Sequence, residues 1–157
     1  MIAKKGCVRR GAGELVFRHF GARAAAVTRH PHNAPSLAVL EELISRKHHG
    51  FLSAHSLTEV YSVLTRTPFK PPLYPSEAWQ IIEVMILPHM GLVTLTSKEY
   101  REVVRSCAVG GWASGRIHDA VHLRCAQKAE CDRLYTFNVK DFRTLAPSGL
   151  ADKIAMP

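Results

Sequence analysis

Two short stretches of this chain combine residue types that could hold a hard cation. One is Arg116-Ile117-His118-Asp119-Ala120-Val121-His122-Leu123 and the other is Leu134-Tyr135-Thr136-Phe137-Asn138-Val139-Lys140-Asp141-Phe142. The first puts Asp119 near the start of a helix, and the second puts Asn138 and Asp141 just beyond a short apolar strand. A further acid, Glu59, lies upstream in an apolar helical pattern. Mg²⁺ prefers oxygen ligands, usually a few carboxylates completed by water. Such an ion neutralises phosphate charge and lowers the pKa of bound water, and two ions ~3.5–4 Å apart clamp the attacking and leaving oxygens. The chemistry these residues suit is phosphodiester hydrolysis.

Each candidate has an ordinary alternative role. Asp119 could simply cap its helix; its company, a glycine-rich loop and Arg116 before it and His122 a turn after it, favours a ligand role. Glu59 lies about 200° around the helix from Leu57, off the main apolar stripe and in line with Val63. Its alternative is a solvent-facing position near a helix start. Asn138 and Asp141 also favour turns. Lys140 and Arg143 could contact phosphate or be solvated surface charges.

The elements that must position these residues read as follows. Leu37, Leu40, Leu43 and Ile44 keep helical spacing, with Asn33 as a cap before Pro35 and His48-His49-Gly50 closing the helix. Phe51-Leu52-Ser53 is a short buried strand. Ser56 caps a helix to about Arg66 with the stripe Leu57, Val60, Tyr61 and Leu64. Ser76 to Leu87 is helical, with Trp79, Ile82 and Ile86 on one face. Gly91 to Leu95 is a strand, and Thr96 with Glu99 has capping-box spacing for a helix carrying Tyr100, Val103, Val104 and Cys107. A glycine-rich loop over 110–115 leads to a helix over 116–128, then a strand over 134–137, a final turn from Asp141, and Ile154 at the sheet edge. Strands alternating with longer helices imply a parallel sheet covered on both faces, with ligands at the carboxyl ends of the strands.

The 157 residues suit one domain with one core. No apolar run approaches the ~18 residues of a membrane span, and no apolar stretch before a small-residue cleavage site suggests a secretory signal. Cys7, Cys107, Cys125 and Cys131 form no C-x-x-C pair, which suits reduced thiols and a cytoplasmic setting. The net charge of +8 favours polyanion partners, but it is uneven. Residues 1–23 hold six basic residues against Glu14, leaving a surplus of three for the rest, so the body is only mildly basic. Residues 1–23 show no clean period and read as irregular, ahead of a domain over 24–157.

Taken together, Asp119-Ala120-Val121-His122-Leu123, Thr136-Phe137-Asn138-x-x-Asp141-Phe142 and the upstream Ser53-x5-Glu59 resemble a PIN-domain ribonuclease of the VapC toxin type, over residues 25–146. The resemblance implies a three-layer α/β/α sandwich with a short parallel sheet. It also implies a Mg²⁺- or Mn²⁺-dependent endoribonuclease that acts on RNA, dimerises, and is held inactive by a small antitoxin protein. Carried over residue by residue, Glu59 matches the family's second acid and Asp119 its third, and Asp141 is the nearby acid of the last loop. Asn138 matches a position often filled by Asp, and Thr136 a small polar residue at the strand end. Glu59, Asp119, Asn138 and Asp141 are then the catalytic set, with Glu59, Asp119 and Asp141 as metal ligands.

The departure is at the front. The family opens with an apolar strand ending in Asp, which would fall near Arg18-His19, where this chain has no acid. Codons for residues 16–24, read one base later, can encode Phe-Asp-Thr-Ser-Val-Leu-Val and then rejoin Ala25-Ala26-Val27. A one-base shift would thus account for a disrupted first strand; codons across this segment that cannot yield Asp would exclude it. Without that Asp, weaker metal binding and impaired cleavage are expected. His19 is a poor substitute, since imidazole suits zinc better than Mg²⁺. Two rival readings follow. A catalytically inactive module would bind RNA or an antitoxin without cutting. His118-Asp119-x-x-His122 could instead share a zinc ion, two histidines one turn apart, although no third ligand is evident in the sequence.

Overall fold

The computed structural model describes residues 14–17 (backbone), 38, 41–42, 45, 49–66 and 71–157. Five parallel strands form one sheet: β1 (Glu14–Phe17), β2 (His49–Ser53), β3 (Met90–Val93), β4 (Arg133–Tyr135) and β5 (Ile154–Ala155). Their order is β3-β2-β1-β4-β5, so β1 is the central strand. Val16 pairs with Phe51 of β2 on one side and Leu134 of β4 on the other. The chain winds outward from β1 through β2 to β3, then returns to the other side of β1 for β4. In an open parallel sheet such a reversal marks the usual ligand position, at the carboxyl ends of the strands on either side of it.

The irregular segment expected over 1–23 is corrected at 14–17, because the first strand is present there. Leu15-Val16-Phe17 is a continuous apolar run, which a central parallel strand favours over alternation; the surrounding Gly and Arg obscured it. Glu14, expected outside any strand pattern, starts β1 opposite His49. The helix expected from Leu37, Leu40, Leu43 and Ile44, its cap Asn33 and its end at His48 lie outside the described residues, although Ala38, Glu41 and Glu42 are helical. His49 and Gly50 belong to β2 rather than to a helix end.

Five α-helices whose bounds lie among the described residues cover the sheet: α1 (Ala54–Arg66), α2 (Pro75–Ile81), α3 (Ser97–Val109), α4 (Arg116–Lys128) and α5 (Val139–Leu145). Helix α1 buries Ser56, Val60, Val63 and Leu64. The stripe is therefore rotated from the expected one, leaving Tyr61 exposed and placing Glu59 beside a buried flank. The cap of α1 is also earlier than expected: Ser53 Oγ accepts the Ser56 N–H at 2.9 Å. After α2 the chain widens to a π-turn over Ile82–Ile86 and tightens to a 3₁₀ turn over Leu87–His89. Ala78, Ile82 and Ile86 face the core, while Trp79 is exposed. Helix α3 carries the expected capping box: Thr96 Oγ1 accepts the Glu99 N–H at 3.2 Å, and Thr96 N–H donates to Glu99 Oε2 at 2.8 Å.

The core has three parts. Leu52, Val60, Leu64, Ile82, Ile86 and Met90 join α1 and α2 to β2 and β3. Leu123, Ala126, Leu134, Phe142, Leu145 and Ile154 join α4 and α5 to β4 and β5. Val103, Cys107, Val121 and Cys125 lock α3 to α4. These contacts complete an α/β/α sandwich and fix α1 and α4 side by side, which decides the geometry of the site. Among the described residues, no helix is long and apolar enough to cross a membrane.

Candidate metal and acid site

The site is built where the end of β2 turns into α1 and meets α4. His122 is its buried centre, with 2% of its side chain exposed. Its Nδ1 lies 2.9 Å from Ser53 Oγ and 3.1 Å from Ser56 Oγ, and the two hydroxyls are 2.9 Å apart. Its Nε2–H donates to Glu59 Oε2 at 3.0 Å. Glu59 Oε1 lies 3.6 Å from His55 Nε2, one helical turn earlier on α1. His55 is in turn 2.9 Å from His118 Nδ1, and the two rings stack with centroids 4.9 Å apart. The ligand atoms of His55, Glu59 and His122 all lie within 4.8 Å of one another. An open depression of about 250 Å³ beside them is lined by Thr58, Glu59, Ser62, Val63 and Arg66. A groove of about 480 Å³ between α3, α4 and α5 contains none of the candidate site residues.

Asp119 lies one turn before His122 on the same face of α4 and is 7% exposed. It does not cap the helix, because the cap position is Gly115. Thr136 is buried just past β4, and its Oγ1 accepts the Asn138 N–H at 3.1 Å. Asn138 occupies the cap position of α5, but its side chain makes no capping bond there. Asp141 is half-buried in the first turn of α5. Among the described residues, Asp119 and Asp141 fall outside the His55–Glu59–His122 group. Arg143 does not face a ligand; its Nη2 donates to Ile154 O at 3.0 Å and ties α5 to β5. Lys140 and Arg116 are exposed.

Sequence reasoning missed His55, Ser53 and Ser56 as parts of one network. The signal was present in His55-x-x-x-Glu59, which places both residues on one face of α1. The expected histidine pair, His118 with His122, is likewise rearranged. His118 contacts His55, whereas His122 contacts Glu59.

The group gathered around Glu59 does not by itself make a magnesium site. Mg²⁺ needs oxygen ligands near octahedral geometry, whereas the group gathered around Glu59 is one carboxylate and two imidazoles. The strand that should deliver another acid, β1, ends at Phe17, and the next residue is Arg18. Elsewhere charge is conventionally paired. Lys128 first, then the Thr96 backbone, hold the Glu99 carboxyl down at about 2. Burial pushes the Cys125 thiol up to about 11 and raises that of Cys107.

Comparison with protein families matches residues 24–146 to the PIN domain. Comparison with curated proteins gave no match. Among solved structures, the chain is similar to one in the crystal structure of VapBC2 from Rickettsia felis bound to a DNA fragment from its promoter. There the TM-score is 0.61 at 17% identity, covering 92% of this chain and 98% of that one. It is also similar to a chain in the crystal structure of FitAcB from Neisseria gonorrhoeae, with a TM-score of 0.61 at 14% identity, covering 91% and 96%. At these identities the likeness is one of fold.

Proposed function

The chain belongs to the PIN domain family, and from that premise we propose that it is the toxin of a toxin–antitoxin pair, an endoribonuclease impaired by its first strand. PIN domains are generally nucleases. The observation that carries the proposal is the meeting of α1 with α4: Glu59 bonds His122, and Asp119 is buried one turn away. Glu59, Asp119, Asn138 and Asp141 are the proposed catalytic positions, with Glu59, Asp119 and Asp141 as the acids for a divalent cation. The substrate is RNA, and Arg66 at the rim of the depression beside Glu59 offers a phosphate contact. The two similar structures are VapBC2 and FitAcB complexes, which supports a small antitoxin as partner. A homodimer and a cytoplasmic setting complete the reading.

In the sequence Arg18 follows Phe17, the last residue of β1, close to where the family resemblance expects an acid. We therefore expect the protein as written to cleave RNA weakly or not at all in Mg²⁺ or Mn²⁺. Arg18→Asp should raise cleavage about 100-fold or more, and adding Asp119→Asn should abolish the gain. A gain that survives Asp119→Asn would rule out the assignment. The same Arg18 favours a second reading, an inactive PIN module that binds an antitoxin or RNA. That reading is supported if Arg18→Asp still cuts nothing while RNA or antitoxin binding persists.

A further inference from the structure

We propose that His55, Glu59 and His122 form a binding site for a divalent transition-metal ion of the zinc class. The proposal does not depend on the nuclease reading, and it concerns a different donor chemistry from that of a hard-cation site. Two imidazoles and one carboxylate suit zinc, and three protein ligands plus water is a common open zinc geometry. The spacing also fits. Bonds of ~2.0–2.1 Å in a tetrahedral site put ligand atoms roughly 3.3 Å apart. Here His122 Nε2 lies 3.0 Å from Glu59 Oε2 and His55 Nε2 lies 3.6 Å from Glu59 Oε1, with one ligand atom from each residue within 4.8 Å of the others, so a small shift of the partly exposed His55 ring closes the site.

The surroundings are those of a ligand histidine. A metal-bound imidazole usually has its second nitrogen held by an outer partner, which fixes its orientation. Ser53 and Ser56 do this for His122 Nδ1. Their hydroxyls can both donate and accept. They therefore hold the ring when Nε2 carries the proton, and equally when the proton sits on Nδ1 and Nε2 binds an ion. Metal binding at Nε2 thus goes with a change of tautomer, the ring's one proton moving from Nε2 to Nδ1 by exchange with solvent. His55 and Glu59 have side chains 28% and 22% exposed, which leaves an entry path. Two bonds have to give way: His122 Nε2 to Glu59 Oε2, which the shared ion replaces, and His55 Nε2 to His118 Nδ1; His118 is exposed, so water can replace the second.

The test uses the purified full-length chain, stripped with a chelator and then titrated with Zn²⁺ against a chromophoric competitor, and separately with Co²⁺. We expect one tight Zn²⁺ per chain and a visible Co²⁺ band of low-coordinate geometry. His55→Ala and Glu59→Gln should each weaken Zn²⁺ binding at least about tenfold and bleach the Co²⁺ band. His89→Ala, on the turn before β3, should change neither. Circular dichroism checks that the variants fold; His55 and Glu59 are at the edge of the core, so these variants avoid the larger risk of removing His122. No Zn²⁺ uptake would overturn the proposal. So would uptake that persists in both variants, which would place the ion on other histidines of the chain.

Discussion

At the residue scale, His122 is where packing and chemistry coincide. It is buried, bonded to Ser53, Ser56 and Glu59, and thus joins the end of β2, α1 and α4. His122→Ala leaves a cavity and strips partners from two buried hydroxyls. We expect a loss of about 3 kcal/mol in urea unfolding. Glu99 gives a pH prediction. Its carboxyl is held at about 2 against an ordinary 4.5, chiefly by Lys128. A lowered folded-state pKa contributes stability that is complete above the unfolded value and lost as pH falls through the folded one. Stability should therefore drop between about pH 4.5 and pH 2, and Lys128→Met should flatten that drop in urea midpoints. Cys125, with its thiol near 11 and donating to Val93 O, should resist alkylation in the folded protein at neutral pH. His55 was not legible in the sequence as a site residue, because its role depends on α4, which enters the chain more than 60 residues later.

At the element scale, the capping box of α3 gives the cleanest prediction. Thr96→Ala removes the acceptor for Glu99 N–H and should cost about 1 kcal/mol, or roughly 2–4 °C in Tm. That box could be read directly from Thr96 and Glu99, because capping is local chemistry. Helix α4 was equally legible, with its bounds at 116 and 128 as expected. The face of α1 was not. Of the expected stripe, Val60 and Leu64 are buried and Leu57 is partly so, but Tyr61 is exposed and Ser56 and Val63 are buried in addition. The same rotation turned Glu59 from a surface acid into a half-buried one. The π-turn after α2 could not be foreseen either. It lets Ala78, Ile82 and Ile86 stay on one face at four-residue spacing, a demand set by the core rather than by local propensity.

At the scale of the whole molecule, strand β1 is the centre of the sheet. Its ladder to β2 and β4 shows that the sheet is complete from Glu14 to Phe17. The defect is therefore chemical and begins at the next residue, where the sequence has Arg18. A missing strand would have cost the fold its centre, whereas under the proposed nuclease reading a missing acid costs a metal ligand. The central claim is that α1 and α4 bring Glu59 and Asp119 to one hard cation, which lacks only the carboxylate that should follow β1. Anomalous diffraction from Arg18→Asp crystals soaked in Mn²⁺ tests this most directly. A Mn²⁺ peak bonded to both Glu59 and Asp119 is the expected result. A peak held by only one of them, or no peak at a saturating concentration, would contradict it.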